Sequence, residues 1–288
     1  MEIGYFPGCS LEGASKEFDI SVRKVCELLN VRLVEIEDWN CCGTSPAHAS
    51  SDELTYLLPY ENIRKMEAQH LTEVLIPCPS CLTSQKETQE RYRSDKAVEE
   101  RLVEASGYRA EGRITLYHLL DFLRDRITFD ALAGRVTKPL TGLKIAPYYG
   151  CLMRFPSIAI DDKERPVVMH RLVEVLGAEA LEWTHKADCC GAGLSLTRPD
   201  IANRLLAELL ASAKRAGADC IAVVCPLCQT NLDIRQGGLK DGDGRPYDLP
   251  VIYLTQLMGI ALGASAADVA LGKLMVDPVP LLKRKNLI

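Results

Sequence analysis

The chain has 288 residues, 47% of them hydrophobic, and a formal net charge of −5. That length suits two domains within the usual ~100–200 residues each, and the acidic balance argues against a nucleic-acid surface, which needs a basic stripe. No apolar run reaches the ~20 residues of a membrane span, and Glu2-Ile3-Gly4-Tyr5-Phe6 does not read as a secretory leader, so no membrane span and a cytoplasmic location are expected.

In chain order, Ile3 to Phe6 reads as a short strand that ends at Cys9. Lys16 to Leu29 reads as a helix, with Val22, Val25, Cys26 and Leu29 on one apolar face. Arg32 to Ile36 is a predicted strand that leads into Cys41-Cys42-Gly43. Asp52 to about Gln69 is a predicted helix that Ser51 or Asp52 can cap. Glu73 to Pro77 is a predicted strand whose Val74-Leu75-Ile76 suits a buried parallel sheet. Pro79 opens a helix that is expected to run on to about Ser106. Glu87 to Arg101 would be its solvated face, and a helix over Leu116 to Arg126 closes the half.

The second half repeats this order. The predicted elements are a strand Lys144 to Tyr148, a helix Arg165 to Leu176 and a strand Glu179 to Trp183. A helix Pro199 to Ala216, a strand Cys220 to Val224 and a helix Leu254 to Leu262 follow. Alternating helices and short buried strands indicate parallel sheets covered on both faces. The fold class is therefore α/β: two pseudo-symmetric Rossmann-like lobes with parallel sheets, from an internal duplication. The expected domains are 1–130 and 142–275. Thr128 to Thr141 would be the linker, and the tail from Val276 with its Lys283-Arg284-Lys285 cluster an irregular, solvated terminus.

The twelve cysteines carry the strongest signal. Ten fall into two frames: Cys9, Cys41, Cys42, Cys78 and Cys81, then Cys151, Cys189, Cys190, Cys225 and Cys228. The gaps between successive groups are 31 and 35 residues in the first frame and 37 and 34 in the second, and the copies are offset by 142, 148 and 147 residues. A near-constant offset marks a repeat. Side chains of adjacent residues on a strand point apart. Two neighbouring cysteines can therefore face one centre only where the chain bends, and Gly43 and Gly191 supply the bend. In α/β sheets ligands sit outside the carboxyl ends of strands, so five cysteines are expected to gather there in each lobe. Disulfides belong to oxidising compartments, which leaves metal binding. Zinc takes four thiolates and would leave one cysteine over in each frame. An iron–sulfur cubane also takes four. Thiolate-only sites suit either metal, and iron–sulfur ligation is the preferred reading, with zinc left open. Cys26 and Cys220, outside the frames, read as core.

The repeated frame, with Pro7-Gly8-Cys9-Ser10 at the start and Cys78-Pro79-Ser80-Cys81 and Cys225-Pro226-Leu227-Cys228 closing its copies, resembles the family of heterodisulfide reductase B-type subunits, built from two cysteine-rich CCG domains. The resemblance covers nearly the whole chain, to about Leu262. It implies two non-cubane [4Fe-4S] clusters, one held by Cys9, Cys41, Cys42, Cys78 and Cys81 and one by Cys151, Cys189, Cys190, Cys225 and Cys228. It implies reductive cleavage of a small-molecule disulfide, CoM-S-S-CoB or a related one, with one sulfur captured at each cluster. It also implies two partners: a ferredoxin-like iron–sulfur subunit, the C-type one of such complexes, and beyond it a flavin subunit, the A-type one. No Gly-x-Gly-x-x-Gly follows a strand, so no flavin or nicotinamide is expected on this chain. Two other readings are an electron-relay subunit of a hydroxyacid or fumarate-linked oxidoreductase, and a zinc-stabilised interaction module.

Fewer signals point to other site residues. His48, His118 and His185 are candidate proton donors to a leaving thiolate. His48 and His185 lie within five residues of a Cys-Cys-Gly. Lys16, Arg154, Lys186 and Arg198 flank the cysteine loops. They could bind an anionic substrate group, offset cluster charge, or be surface charge.

Overall fold

A computed structural model describes residues 1–44 and 46–288. The first lobe contains β1 (Glu2–Tyr5), α1 (Gly8–Glu12), α2 (Lys16–Leu28), β2 (Arg32–Glu35), α3 (Pro46–Ser50), α4 (Asp52–Ala68), β3 (Glu73–Leu75), α5 (Pro79–Ser94), α6 (Lys96–Ser106), β4 (Thr115–Tyr117) and α7 (Leu119–Phe122). A π-helical turn, Leu123–Ile127, and α8 (Phe129–Ala133) lead out of it. The second lobe contains β5 (Lys144–Tyr148), a 3-10 turn Leu152–Arg154, α9 (Val168–Val175), β6 (Glu179–Ala180), α10 (Pro199–Arg215), β7 (Cys220–Val223), α11 (Pro226–Arg235), β8 (Val251–Tyr253) and α12 (Leu254–Ala261). α13 (Val279–Arg284) ends the chain.

The two lobes are pseudo-symmetric α/β units with the same topology. Each has a four-stranded parallel sheet, ordered β2-β1-β3-β4 and β6-β5-β7-β8. The strand order turns back between β1 and β3, and between β5 and β7. Such switch points leave a crevice at the carboxyl ends of the strands. Cys9 and Cys78 follow β1 and β3, and Cys151 and Cys225 follow β5 and β7. The strands that aim these cysteines are fully buried at Val74 and Leu75 and at Cys220 through Val223. α2 buries Val22, Val25 and Cys26 as its spacing predicts. Ser51 caps α4, its hydroxyl accepting from the Glu53 and Leu54 N–H groups.

Several expectations are corrected. Each lobe has a fourth strand where a helix alone was expected: Leu116 lies in β4, and β8 precedes α12. The helix from Pro79 breaks at Asp95, whose extended backbone and carboxylate cap α6 by accepting from the Ala97 and Val98 N–H groups. The charged stretch there is not wholly solvated, since Thr88, Gln89, Tyr92 and Val98 are buried. The helix expected from Arg165 starts at Val168. Asp162 and Asp161 accept from the main-chain N–H groups of residues 164–165 and 167–168 and hold that stretch as a turn. The strand expected over Glu179 to Trp183 keeps its ladder only at Glu179–Ala180.

The linker and tail are also packed structure. Leu132 and Leu140 are fully buried, and the Thr137 and Lys138 N–H groups donate to the Ala261 carbonyl. In the tail, Leu281, Leu282 and Leu287 are buried. Lys285 Nζ donates to the Gly142 carbonyl at 2.7 Å and pairs with Asp219 at 2.8 Å. Lys283 and Arg284 are exposed, as expected of a basic terminus.

Candidate metal centre

In the first lobe the five frame cysteines form one chain of neighbours. Cys9 and Cys41 Sγ atoms are 3.7 Å apart and Cys42 and Cys81 Sγ atoms 3.1 Å apart. Cys41 also bonds Cys42, and Cys78 bonds Cys81. Gly43 has φ +75°, and a Cβ there would meet Ala47 and Leu58 atoms at 2.9 Å, so the bend requires glycine. The loop is tied from behind. Asn62, fully buried, accepts from the Asn40 N–H at 2.9 Å and donates to the Asn40 carbonyl at 2.9 Å. The Ser84 hydroxyl, one turn after Cys81, donates to the Cys42 carbonyl at 2.9 Å. Thr44 bridges Cys42 Sγ and the Ser80 carbonyl.

The second lobe repeats this on the same offsets. Cys190 and Cys228 Sγ atoms are 3.5 Å apart, Cys151 bonds Cys189, and Cys225 bonds Cys228. Gly191 has φ +78°, and its N–H donates to Cys189 Sγ at 3.3 Å. Asn231, the counterpart of Ser84, donates to the Cys190 carbonyl at 2.7 Å. The aromatic backing repeats as well: Phe6 packs edge-on to Trp39, and Tyr148 lies against Trp183. Gly8 and Gly150 let the main chain approach the sulfurs. A Cβ on Gly8 would meet Cys81 Sγ at 3.0 Å, and one on Gly150 would meet Cys228 Sγ at 3.2 Å.

Thiols this close stabilise one another's thiolates, and the thiolate is the metal ligand. The Cys41 thiol, with help from Cys81 and Thr44, draws Cys42 down to about 3. The Cys151 thiol draws Cys189 down to about 6. Cys78 is lowered by Cys81 and Cys190 by Cys228. The donating partners Cys41, Cys81, Cys151 and Cys228 are raised in turn. Among the described residues no three donors converge as they would on a single ion. The sulfurs instead stand as close neighbours, with one of each set 3.0 or 3.2 Å from where a Cβ on Gly8 or Gly150 would stand, a donor set that fits a thiolate-bound iron–sulfur group. Cys26 and Cys220 are buried apart from both sets, and burial pushes the Cys26 thiol up to about 12.

Elements that carry the two sets meet between the lobes. α5, which carries Cys81, packs on the Leu152–Arg154 turn that follows Cys151. Reciprocally, α11, which carries Cys228, packs on α1, which carries Cys9. The lobes are also joined where α2 meets α12: Ser21 and Thr255 hydroxyls are 2.7 Å apart, and the Phe18 and Tyr253 rings stack at 4.2 Å. Burial raises the Tyr253 phenol, and its place near both Cys225 and Cys78 adds to that.

The other sequence-derived candidates scatter. His48, exposed on α3, lines a cavity with Asp52, Tyr56 and Arg91 that no frame cysteine lines. His185 pairs with Asp188, next to Cys189, at 2.7 Å. His118 is fully buried, and desolvation pushes its imidazole down to about 3, so it is neutral near neutral pH. Arg154 is engaged by the Lys163 carbonyl and Glu164, Arg198 by Asp200, and the buried Lys186 by Glu182. Lys16 is exposed. Sequence reasoning missed the loop anchors Asn62, Ser84 and Asn231. The matching positions of Ser84 and Asn231, each three residues past a frame cysteine, were the available signal.

No helix of the described residues is long and apolar enough to cross a membrane. Over nearly its full length the chain is similar to a solved structure of a hypothetical protein from Helicobacter pylori. The TM-score is 0.73 at 11% identity, with 96% of this chain and 52% of that chain covered, a likeness of fold. Among curated proteins it is 30% identical to the 8-methylmenaquinol:fumarate reductase membrane anchor subunit of Wolinella succinogenes, over 97% of this chain and 99% of that protein. It is 28% identical to the B-type subunit of the ferredoxin/F(420)H(2)-dependent CoB-CoM heterodisulfide reductase of Methanosarcina acetivorans, over 98% and 96%. It is 26% identical to a protein of Archaeoglobus profundus named for its likeness to the heterodisulfide reductase B-type subunit, over 94% and 93%. These relatives are subunits of reductases or resemble one. The profile of the CCG cysteine-rich domain matches residues 3–85 and 145–233. The chain therefore belongs to the CCG cysteine-rich domain family and carries two copies of that domain.

Proposed function

We propose that this chain is the disulfide-reducing subunit of a heterodisulfide reductase-type complex in the cytoplasm, with domains at 1–130 and 142–275. Cys9, Cys41, Cys42, Cys78 and Cys81 hold one non-cubane [4Fe-4S] cluster, and Cys151, Cys189, Cys190, Cys225 and Cys228 hold the other. The observation that carries this is the reciprocal packing of the lobes, in which the helix that carries Cys81 meets the turn after Cys151 and the helix that carries Cys228 meets the helix that carries Cys9. When bound, the clusters supply the two electrons that, with two protons, convert a disulfide to two thiols. The chain's part is to fix the geometry. Ser84 and Asn231 hold the Cys-Cys-Gly loops, and the lobe interface offers one set to each sulfur. CoM-S-S-CoB or a related disulfide is the substrate class. Electrons come from a ferredoxin-like iron–sulfur partner, which is fed in turn by a flavin-bearing one.

A second reading, an electron-relay subunit of a fumarate-linked reductase, is favoured by the similarity to the Wolinella succinogenes protein. Turnover of a small disulfide by the isolated, anaerobic chain with a chemical reductant separates the two. The disulfide-reductase reading expects turnover, abolished by Cys41→Ala and by Cys189→Ala, with the double variant no worse than either because groups that act as one unit fail together. A wild-type chain that is reduced and reoxidised without cleaving a disulfide is a relay. If Cys189→Ala loses iron yet keeps near-normal turnover, the two-set account is wrong.

A further inference from the structure

One face of α5 is polar, buried and unbonded. Cys81, Gln85, Thr88 and Tyr92 follow one another at steps of four, three and four residues, which sets them on one stripe of the helix. Gln85, Thr88 and Tyr92 are 0, 1 and 5% exposed. Neither end of the Gln85 amide, nor the Thr88 hydroxyl, nor the Tyr92 hydroxyl finds a hydrogen-bond partner among the described residues. Such a stripe is costly if dry, and a buried water bonds about three otherwise unpaired polar groups. The spacing suits water. At 1.5 Å of rise per residue the steps from Cys81 are about 6, 4.5 and 6 Å along the axis, and one water between two polar atoms spans roughly 5.5 Å. Both ends of the stripe are placed. Cys81 belongs to the first set. The Tyr92 hydroxyl is 3.2 Å from where a Cβ on Gly112 would stand, between the exposed Glu111 and Arg113.

The second lobe is the internal control. Under the 147-residue offset that relates Cys81 to Cys228, Ser84 and Gln89 match Asn231 and Gln236. The first pair donates to the Cys42 and Cys190 carbonyls, and the second to the Ile114 and Leu249 carbonyls just ahead of β4 and β8. These shared polar residues make the same structural bond in each lobe. Gln85, Thr88 and Tyr92 instead match Leu232, Arg235 and Leu239, and Arg235 is engaged by the Ser195 carbonyl. The unbonded stripe therefore belongs to the first lobe alone. We propose that Gln85, Thr88 and Tyr92 bind a file of ordered water that links the first cysteine set to solvent beside Gly112 and brings it protons. The proton role rests on the disulfide-reductase reading. A disulfide that becomes two thiols takes up two electrons, from the iron–sulfur partner, and two protons, one at each set, and the file brings in the one taken up at the first. Cys9 and Cys41 are exposed on the open side of that set, where a substrate arrives, whereas Cys81 is buried. A path that ends at Cys81 stays open when substrate covers the front. The rival is a dry stripe whose polar atoms pair with nothing.

A crystal structure of the full-length chain, purified anaerobically, tests the file itself. Ordered water should bond the Gln85 amide, the Thr88 hydroxyl and the Tyr92 hydroxyl, and a dry face would overturn the proposal. Thr88→Val keeps the shape of the side chain and removes the hydroxyl, so it tests what the file does. With water in place, the unfolding constant in urea should rise about fivefold, the ratio that one net hydrogen bond is worth. On a dry stripe the same change would lower it, which would also overturn the proposal. Disulfide turnover with a chemical reductant should fall by about fivefold or more at unchanged iron content, and the ratio of rates in H2O and D2O should rise. Thr88→Ser, which keeps the hydroxyl, should restore both. Thr88→Val with wild-type turnover and isotope ratio would overturn the proton path. A wild-type chain that holds the water yet cleaves no disulfide would refute the disulfide-reductase reading and leave the file standing.

Discussion

Adding one methyl group at Gly8 should remove the first metal centre while leaving the second. Gly8 has φ +72°, and a Cβ there would stand 3.0 Å from Cys81 Sγ and 3.3 Å from the Phe6 ring. Two costs arise. An L-residue in the left-handed region loses roughly 1–2 kcal/mol. The contact is also short of the ~3.5–4.0 Å at which such atoms rest, so the sulfur must retreat by about 0.5 Å, the tolerance within which a binding constellation must be held. Gly107 gives a control, since it has φ +66° but nothing within 4 Å of an added Cβ. Gly8→Ala should therefore lose at least as much stability as Gly107→Ala in urea unfolding, but only Gly8→Ala should lose metal, to about half the wild-type load. Gly150→Ala, 3.2 Å from Cys228 Sγ, should empty the second set instead. Equal metal loads in Gly8→Ala and Gly107→Ala would refute the view that these glycines exist to admit the sulfurs.

Other consequences follow from the same structure. The His118 pKa is depressed in the folded chain to about 3 from a usual 6.5, so the unfolded chain binds more protons between those values. Its contribution to stability is therefore intact above pH 6.5 and is lost as pH falls below it, by roughly 2 kcal/mol at pH 5. His118→Asn should flatten the loss between pH 7.5 and 5 by that amount in urea titrations, and an unchanged slope would count against the buried neutral imidazole. Removing residues 277–288 exposes what Leu281, Leu282 and Leu287 cover. It should cost at least about 3 kcal/mol, since each such side chain contributes ~1.5–3 kcal/mol on burial, and a loss under about 1 kcal/mol would mean the tail is not docked.

Much of this architecture is legible in the sequence because it is local. The strands that deliver Cys9, Cys78, Cys151 and Cys225 are short apolar runs, the bends at Gly43 and Gly191 follow from adjacent cysteines, and Ser51 and Pro79 announce their helices. What escapes is set by distant partners. β4 and β8 each have three residues and gain strand character only by pairing with β3 and β7. The α5–α6 break depends on whether Asp95 caps or merely decorates a helix. The tail reads as polar ends, yet its leucines and Lys285 find partners in the second lobe. Ser84 and Asn231 look like ordinary helical polar residues until their carbonyl acceptors are seen.

Each five-cysteine set is proposed to hold an iron–sulfur cluster. Iron, zinc and acid-labile sulfide analysis of the anaerobically purified, fully reconstituted chain tests it most directly. Two four-iron clusters on thiolates give about eight irons and a matching amount of sulfide per chain. Stoichiometric zinc with negligible sulfide would contradict the account.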